Sequence, residues 1–173
     1  MTTITSTVES PVGDLRLTAA DGRLTGVAMS DQRHAPTASA EWVRDDGWFK
    51  DVAAQLGAYF AGELEEFDVP LELVGTDFQR RVWSGLLEIP YGTTISYGEL
   101  ARRIGNPKAC RAVGLANGRN PVAIIVPCHR VIGATGDLTG YGGGLERKTW
   151  LLRHESVRRP AVHLAALSGA KGR

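Results

Sequence analysis

Residues 122–126 (Val122-Ala123-Ile124-Ile125-Val126) form an apolar, β-branched run bounded by Pro121 and Pro127, and Cys128-His129-Arg130 follows at once. This run constrains the chain more than any other segment. Its side chains demand burial, and the proline ends the run in a turn. The spacing predicts a strand from Val122 to Val126 that delivers a thiol, an imidazole and a guanidinium to its end. A thiol beside a base and a fixed positive charge ionises more readily, and the thiolate is the nucleophilic form.

The first thirty residues read as strands. Leu15, Leu17 and Ala19 alternate with polar neighbours, Asp21-Gly22 is a hairpin turn signal, and Leu24, Val27 and Met29 continue beyond it. Residues 31–46 read as loop. Phe49, Val52, Leu56 and Tyr59 follow helical spacing, and Gly62 stops that helix. Near Gly75 the pattern turns helical. Thr76 and Gln79 have capping-box spacing, and Phe78, Val82 and Leu86 make a buried stripe. Ser96 and Glu99 repeat the box and open a helix to Ile104. Gly105-Asn106-Pro107 is a turn, and a third helix runs from Lys108 to Asn117 with Gly118 as its C′ glycine. A helix pair with so tight a turn suggests a helix-turn-helix, although many such pairs bind nothing. A last helix spans Glu146 to Glu155. Residues 157–173 read as a mobile basic tail with a short helical piece near Val162–Leu167.

Net charge is only +1, but the charges are segregated. Acids dominate between Glu41 and Glu72, bases between Tyr97 and Gly136. A local basic field suits a polyanion, and a solvated face explains it equally well. No apolar run is long enough to cross a membrane, and the N-terminus lacks an export signal, which together point to the cytoplasm. Cys110 and Cys128 have no CxxC spacing and no paired histidines accompany them, so neither a metal nor a cofactor is expected.

For a base, Cys128 has His129 next to it. For an orienting carboxylate, Glu155 shares a helix face with Lys148, Leu151 and Leu152. Spacing alone does not establish that Glu155 reaches His129. Taken singly, each residue also has an inert structural explanation. The third helix is rich in small residues around Arg111, which suits either tight core packing or close docking on nucleic acid.

Asn120-Pro121 and Ile124–Ile132 resemble the active-site signature of the O6-alkylguanine-DNA alkyltransferases. The similarity continues through Gly136, Gly140–Gly144, Lys148, Trp150-Leu151-Leu152 and Glu155. Upstream it takes in Phe78-Gln79, Val82-Trp83, Ile89–Gly92, Ser96-Tyr97 and Arg111–Gly114. The resemblance implies that Cys128 takes an alkyl group from O6 of guanine, and also from O4 of thymine, and is spent in doing so. By the same resemblance His129 acts through a water on Cys128, Glu155 orients His129, and Tyr97 protonates the leaving guanine ring. Arg111 fills the gap left by a flipped nucleotide, from the minor groove. Ala112, Ser96, Lys108 and Asn117 are implied as further DNA contacts. Asn120, Val131, Tyr141, Gly142 and Lys148 are implied to line or support the base pocket.

The expected architecture is a small α/β N-terminal domain (residues 1–75, an antiparallel sheet plus helix). A mainly α, winged-helix-like domain with the helix-turn-helix follows (76–156), then the tail (157–173). The expected partner is double-stranded DNA carrying O6-alkylguanine, with no membrane. Whether further copies of the chain bind beside it on DNA stays open. The competing readings are a damage-sensing DNA-binding protein without transfer, which replaces the reactive cysteine, and a thiol hydrolase, which leaves the basic helix pair unexplained.

Overall fold

The computed structural model describes residues 2–158; of the expected tail, residues 157 and 158 continue the last helix and residues 159–173 lie outside the described residues. Strands β1 (Ile4–Val8), β2 (Leu15–Ala20) and β3 (Arg23–Met29) pair antiparallel. Asp21 and Gly22 both hold positive φ in the turn between β2 and β3, as a two-residue hairpin loop requires. The segment expected as loop contributes a short fourth strand, β4 (Val43–Arg44). It adds parallel to β1 and gives the order β3-β2-β1-β4. Two residues are too short a run for periodicity to show. One face of β2 carries Leu15, Leu17 and Ala19 into the core, where they meet Val52, Leu56 and Tyr59 of α1 (Lys50–Phe60).

The second half is helical. α2 (Asp77–Leu86) begins with the full capping box: Thr76 accepts from the Gln79 backbone, and Gln79 returns the bond to the Thr76 N–H. It buries Val82, Trp83 and Leu86, each side chain stabilising the core by about 2 kcal/mol, while Phe78 of the expected stripe is only half-buried. β5 (Ile95–Ser96) leads directly into α3 (Tyr97–Arg103), and α4 (Cys110–Gly118) follows the expected turn. α2, α3 and α4 pack on one another, and Trp83 Nε1 donates to the Ala116 carbonyl of α4 at 2.9 Å. β6 (Val131–Ile132) pairs parallel with β5, and α5 (Leu145–Arg158) closes the fold.

Three further sequence expectations change. Ser96 caps α3 alone, because the Glu99 carboxylate pairs with Arg102 and Arg103 instead of reaching back. α4 starts two residues later than expected, and Gly118 is its last helical residue without positive φ, so it is no C′ glycine. The third change matters most. Residues 122–126 are not a strand. Ile124 has φ +72°, and Val126 N–H bonds back to Val122 O within the segment. The flanking prolines lack N–H groups, and Asn120 supplies partners instead. Its Nδ2 donates to Val126 O at 2.7 Å, and its Oδ1 accepts from Val122 N at 3.0 Å. The run is still fully interior. It touches the edge of β3 only through Val27 N to Pro121 O and Ala123 N to Val27 O. One apolar core thereby runs unbroken from the sheet to the helices.

The two caps allow a direct comparison. Thr76→Ala removes a reciprocal cap and should cost about 1 kcal/mol, read from the shift in urea midpoint. Glu99→Gln should leave the Ser96 cap intact and change stability by less than half of that.

Candidate active site

Cys128, His129 and Arg130 form a single turn of 3₁₀ helix after Pro127, and all three are buried. The turn is held from behind. Asn117 Nδ2 donates to the Cys128 carbonyl at 3.3 Å, and Asn120 pins the residues just before it. Asn117, expected to meet DNA, is therefore an interior residue of the active-site turn. Its place in α4, four residues beyond the buried Val113 and next to Ala116, puts it on the inward face.

α5 presents Lys148, Leu151, Leu152 and Glu155 inward, as their spacing predicts. Glu155 Oε2 lies 2.7 Å from His129 Nε2. An ionised carboxylate only accepts, so Nε2 carries the proton and Nδ1 keeps its lone pair. Nδ1 has no hydrogen-bond partner among the described residues. Arg130 grips the same carboxylate twice, Nε to Oε1 at 2.8 Å and Nη2 to Oε2 at 3.1 Å, and donates Nη1 to Ile89 O at 2.7 Å. Tyr59 of α1 adds its hydroxyl to Oε2 at 2.7 Å.

These contacts set the charges. Burial disfavours the Glu155 anion, but the hydrogen bonds from His129 and Arg130 and the Arg130 charge outweigh it, and the carboxyl stays ionised well below its usual range. Burial pushes His129 below its ordinary 6.5 against the pull of Glu155, so the imidazole is neutral at pH 7. Burial also raises the Cys128 thiol, offset in part by Asn120 and by the Lys148 charge. The positive charge next to Cys128 in sequence is thus spent on Glu155, and the resting site holds a neutral thiol. Lys148 is lowered by burial to about 8, while Cys128 pulls it the other way.

The parallel pairing of β5 with β6 brings the first residue of α3 beside the end of the Cys-His-Arg turn. Tyr97 donates its hydroxyl to Thr139 O at 2.8 Å, and Lys148 Nζ donates to the same carbonyl at 2.7 Å and to Val131 O at 2.6 Å. Gly140 sits against this hydroxyl with φ +69°, and a Cβ there would stand 2.9 Å from Tyr97 Oη, so only glycine fits. Tyr141 is buried, and burial raises its hydroxyl well above the usual range. Cys128 itself is 5% exposed. Arg111, Ala112 and Lys108 lie exposed around α4, apart from the thiol, and Ser96 caps α3.

Arg130 as the partner of Glu155, and Tyr59 as a third, were not foreseen. Arg130 follows His129 in the same turn, which was the available signal. Tyr59 was visible only as the last position of an apolar helix stripe. Among the described residues no cluster of histidine, cysteine or carboxylate side chains could hold a metal ion.

Comparison with known proteins gives a consistent result. Residues 3–73 match the family described as 6-O-methylguanine DNA methyltransferase, ribonuclease-like domain, and residues 77–157 its DNA binding domain. The chain is 59% identical over 155 residues to the methylated-DNA–protein-cysteine methyltransferase of Mycobacterium tuberculosis, covering 90% of this chain and 93% of that protein. It is 54% identical over 147 residues to the protein of the same name from Methanosarcina acetivorans, covering 85% and 94%. Among solved structures, the M. tuberculosis O6-methylguanine methyltransferase matches with a TM-score of 0.82 at 57% identity, covering 90% of this chain and 94% of that one. The M. tuberculosis OGT in complex with DNA matches with a TM-score of 0.83 at 57% identity, covering 91% and 94%.

Two stability predictions follow from the buried charges. Arg130→Met leaves the Glu155 carboxylate without its main partner and should cost about 3–5 kcal/mol in urea unfolding. As pH falls below about 6.5, the unfolded chain protonates this histidine while folded His129 stays neutral. Unfolding then takes up a proton, so stability drops with pH, and Glu155 extends the loss below its ordinary 4.5. Urea midpoints at about pH 7.5 and 5.5 should show the fall, and His129→Asn should reduce it.

Proposed function

The chain belongs to the 6-O-methylguanine DNA methyltransferase family, and on that premise we propose that Cys128 is the acceptor, served by His129, Glu155, Tyr97 and Arg111. The protein repairs DNA by direct transfer of an alkyl group from O6 of guanine to its own cysteine, as a single-turnover S-methyltransferase. O4 of thymine offers the same alkyl–oxygen chemistry. A reducing cytoplasm suits a working group that is a free thiol.

O6 of guanine is stacked inside the duplex, so the base must be flipped out before a sulfur can reach it. The near-complete burial of Cys128 sets the same requirement from the protein side. Arg111, exposed on α4, would occupy the gap in the duplex, with Ala112 and Lys108 beside it on the DNA. Nδ1 of His129 would then take the thiol proton through a water, while Glu155 holds Nε2. The nearby Lys148 ammonium favours the developing thiolate. The sulfur attacks the alkyl carbon, a C–S bond forms and the C–O6 bond breaks. The electron pair passes to the purine, and Tyr97, whose hydroxyl burial keeps protonated, supplies the proton that makes guanine a neutral leaving group. The thioether has no route back to a thiol, so each molecule acts once.

One observation carries this reading: a buried free thiol shares a single turn with a histidine whose Nε2 is fixed by a buried carboxylate and whose Nδ1 has no hydrogen-bond partner among the described residues. The reading is tested with duplex DNA containing O6-methylguanine. Peptide masses should show one methyl per molecule, on the Cys128 peptide, and none in Cys128→Ala. Tight binding without transfer would support the damage-sensing alternative instead. For Arg111, alanine substitution should slow repair of duplex DNA by about tenfold, a loss of ~1.4 kcal/mol, with little effect on reaction with the free O6-methylguanine base. Equal losses on both substrates would remove Arg111 from the flipping step.

A further inference from the structure

We propose that Arg147 is a positioning residue for alkyl transfer: it ties the base-pocket loop 140–144 to the N-terminal sheet and so sets where Tyr141 stands over the site. The inference rests on the activity proposed above. Four of the five residues in this loop are glycine (Gly140, Gly142, Gly143 and Gly144), and Tyr141 is its one large side chain. Such a segment has little conformational preference of its own. Its shape has to be imposed from outside.

The imposing contacts come from the N-terminal half. Arg147 lies in the first turn of α5, one residue before the buried Lys148. Its Nε donates to Val12 O at 3.0 Å, and its Nη1 donates to Ser30 O at 2.6 Å and to Gly143 O at 3.3 Å. Val12 belongs to the turn between β1 and β2, and Ser30 directly follows β3. One guanidinium therefore joins two loops of the sheet to the loop beside the thiol. Among the described residues no carboxylate makes an ion pair with it, and each of its three hydrogen bonds goes to a backbone carbonyl. A planar fork fixes several acceptors at once, which a single ammonium does not.

A second tie lies on the adjacent residue, Gly142, which directly follows Tyr141. Arg33 N donates to Gly142 O at 2.9 Å. Gly142 is wedged so closely that a Cβ would stand 3.2 Å from Gly118 O at the end of α4 and 3.3 Å from Arg33 O. The loop is thus held between the DNA-facing helix and the sheet domain. Tyr141, buried and followed at once by both ties, has little freedom left. Displacement of a substrate-positioning group by about 1 Å costs on the order of 100-fold in rate. Removing one of two anchors should cost part of that.

A protein that reacts once offers a clean test, because the time course yields two independent numbers. The amplitude counts folded, competent molecules, and the rate reports their geometry. Full-length Arg147→Met and Arg147→Lys are mixed in excess with the free O6-methylguanine base and, separately, with duplex DNA carrying the lesion. The prediction is a rate about tenfold lower for Arg147→Met on both substrates, an intermediate rate for Arg147→Lys, and unchanged affinity for undamaged duplex. A rate within twofold of the unsubstituted protein overturns the proposal whatever the amplitude, since lost amplitude at constant rate is a purely structural role. Slowing confined to the DNA substrate also overturns it, because that would make Arg147 a DNA contact. Absence of transfer by the unsubstituted protein overturns this proposal together with the functional reading beneath it; normal transfer with an unaffected variant overturns this one alone.

Discussion

A single buried carboxylate organises this molecule. Glu155 has no access to solvent, and an ionised carboxyl in that position is unstable unless protein groups replace its water. They come from separate parts of the chain: Tyr59 from the helix of the N-terminal domain, His129 and Arg130 from the turn after the proline, and the Gly92 N–H at 3.4 Å from the loop after α2. Each is drawn in to satisfy one charge, so the domains, the reactive turn and the last helix are registered on a common point. The constraint is mutual, because an Arg130 without Glu155 would be an equally costly buried cation.

This arrangement assigns the neighbours of the thiol differently from their order in sequence. Arg130 is next but one to Cys128, yet its charge is consumed by Glu155. The positive charge that favours the thiolate comes from Lys148, one helix away. His129 is not a partner in a resting thiolate–imidazolium pair but a neutral base waiting for a proton. A buried neutral thiol is also protected from oxidation and stray metals until a flipped base is in place, which suits a group that is used only once.

Much of this was legible in the sequence, and the reasons for the failures are physical. Helical periodicity located α1, α2 and α5, and the i−7, i−4 and i−3 relation of Lys148, Leu151 and Leu152 to Glu155 correctly defined an inward face. The run 122–126 was misread because composition reports burial, whereas a strand also needs a neighbour for its backbone. Here the Asn120 side chain takes that place and folds the run on itself. Asn117 was placed among the DNA contacts by resemblance alone, and only the position of the Cys128 carbonyl shows why it is inside. Arg130 and Tyr59 depended on a carboxylate far away in the chain, and no local pattern encodes such a meeting. The role of Glu155 itself could be suspected from its helix face, but the distance to His129 had to come from the fold.

The central claim is that burial keeps His129 neutral while Glu155 fixes its proton on Nε2 and leaves Nδ1 bare, ready to receive the proton of Cys128. Nitrogen-15 NMR of the histidine side chains in the unreacted protein at neutral pH tests this directly. The account predicts that His129 shows one protonated nitrogen, Nε2, and one unprotonated nitrogen, Nδ1. A doubly protonated His129 ring at that pH, reporting a preformed thiolate–imidazolium pair, would contradict it.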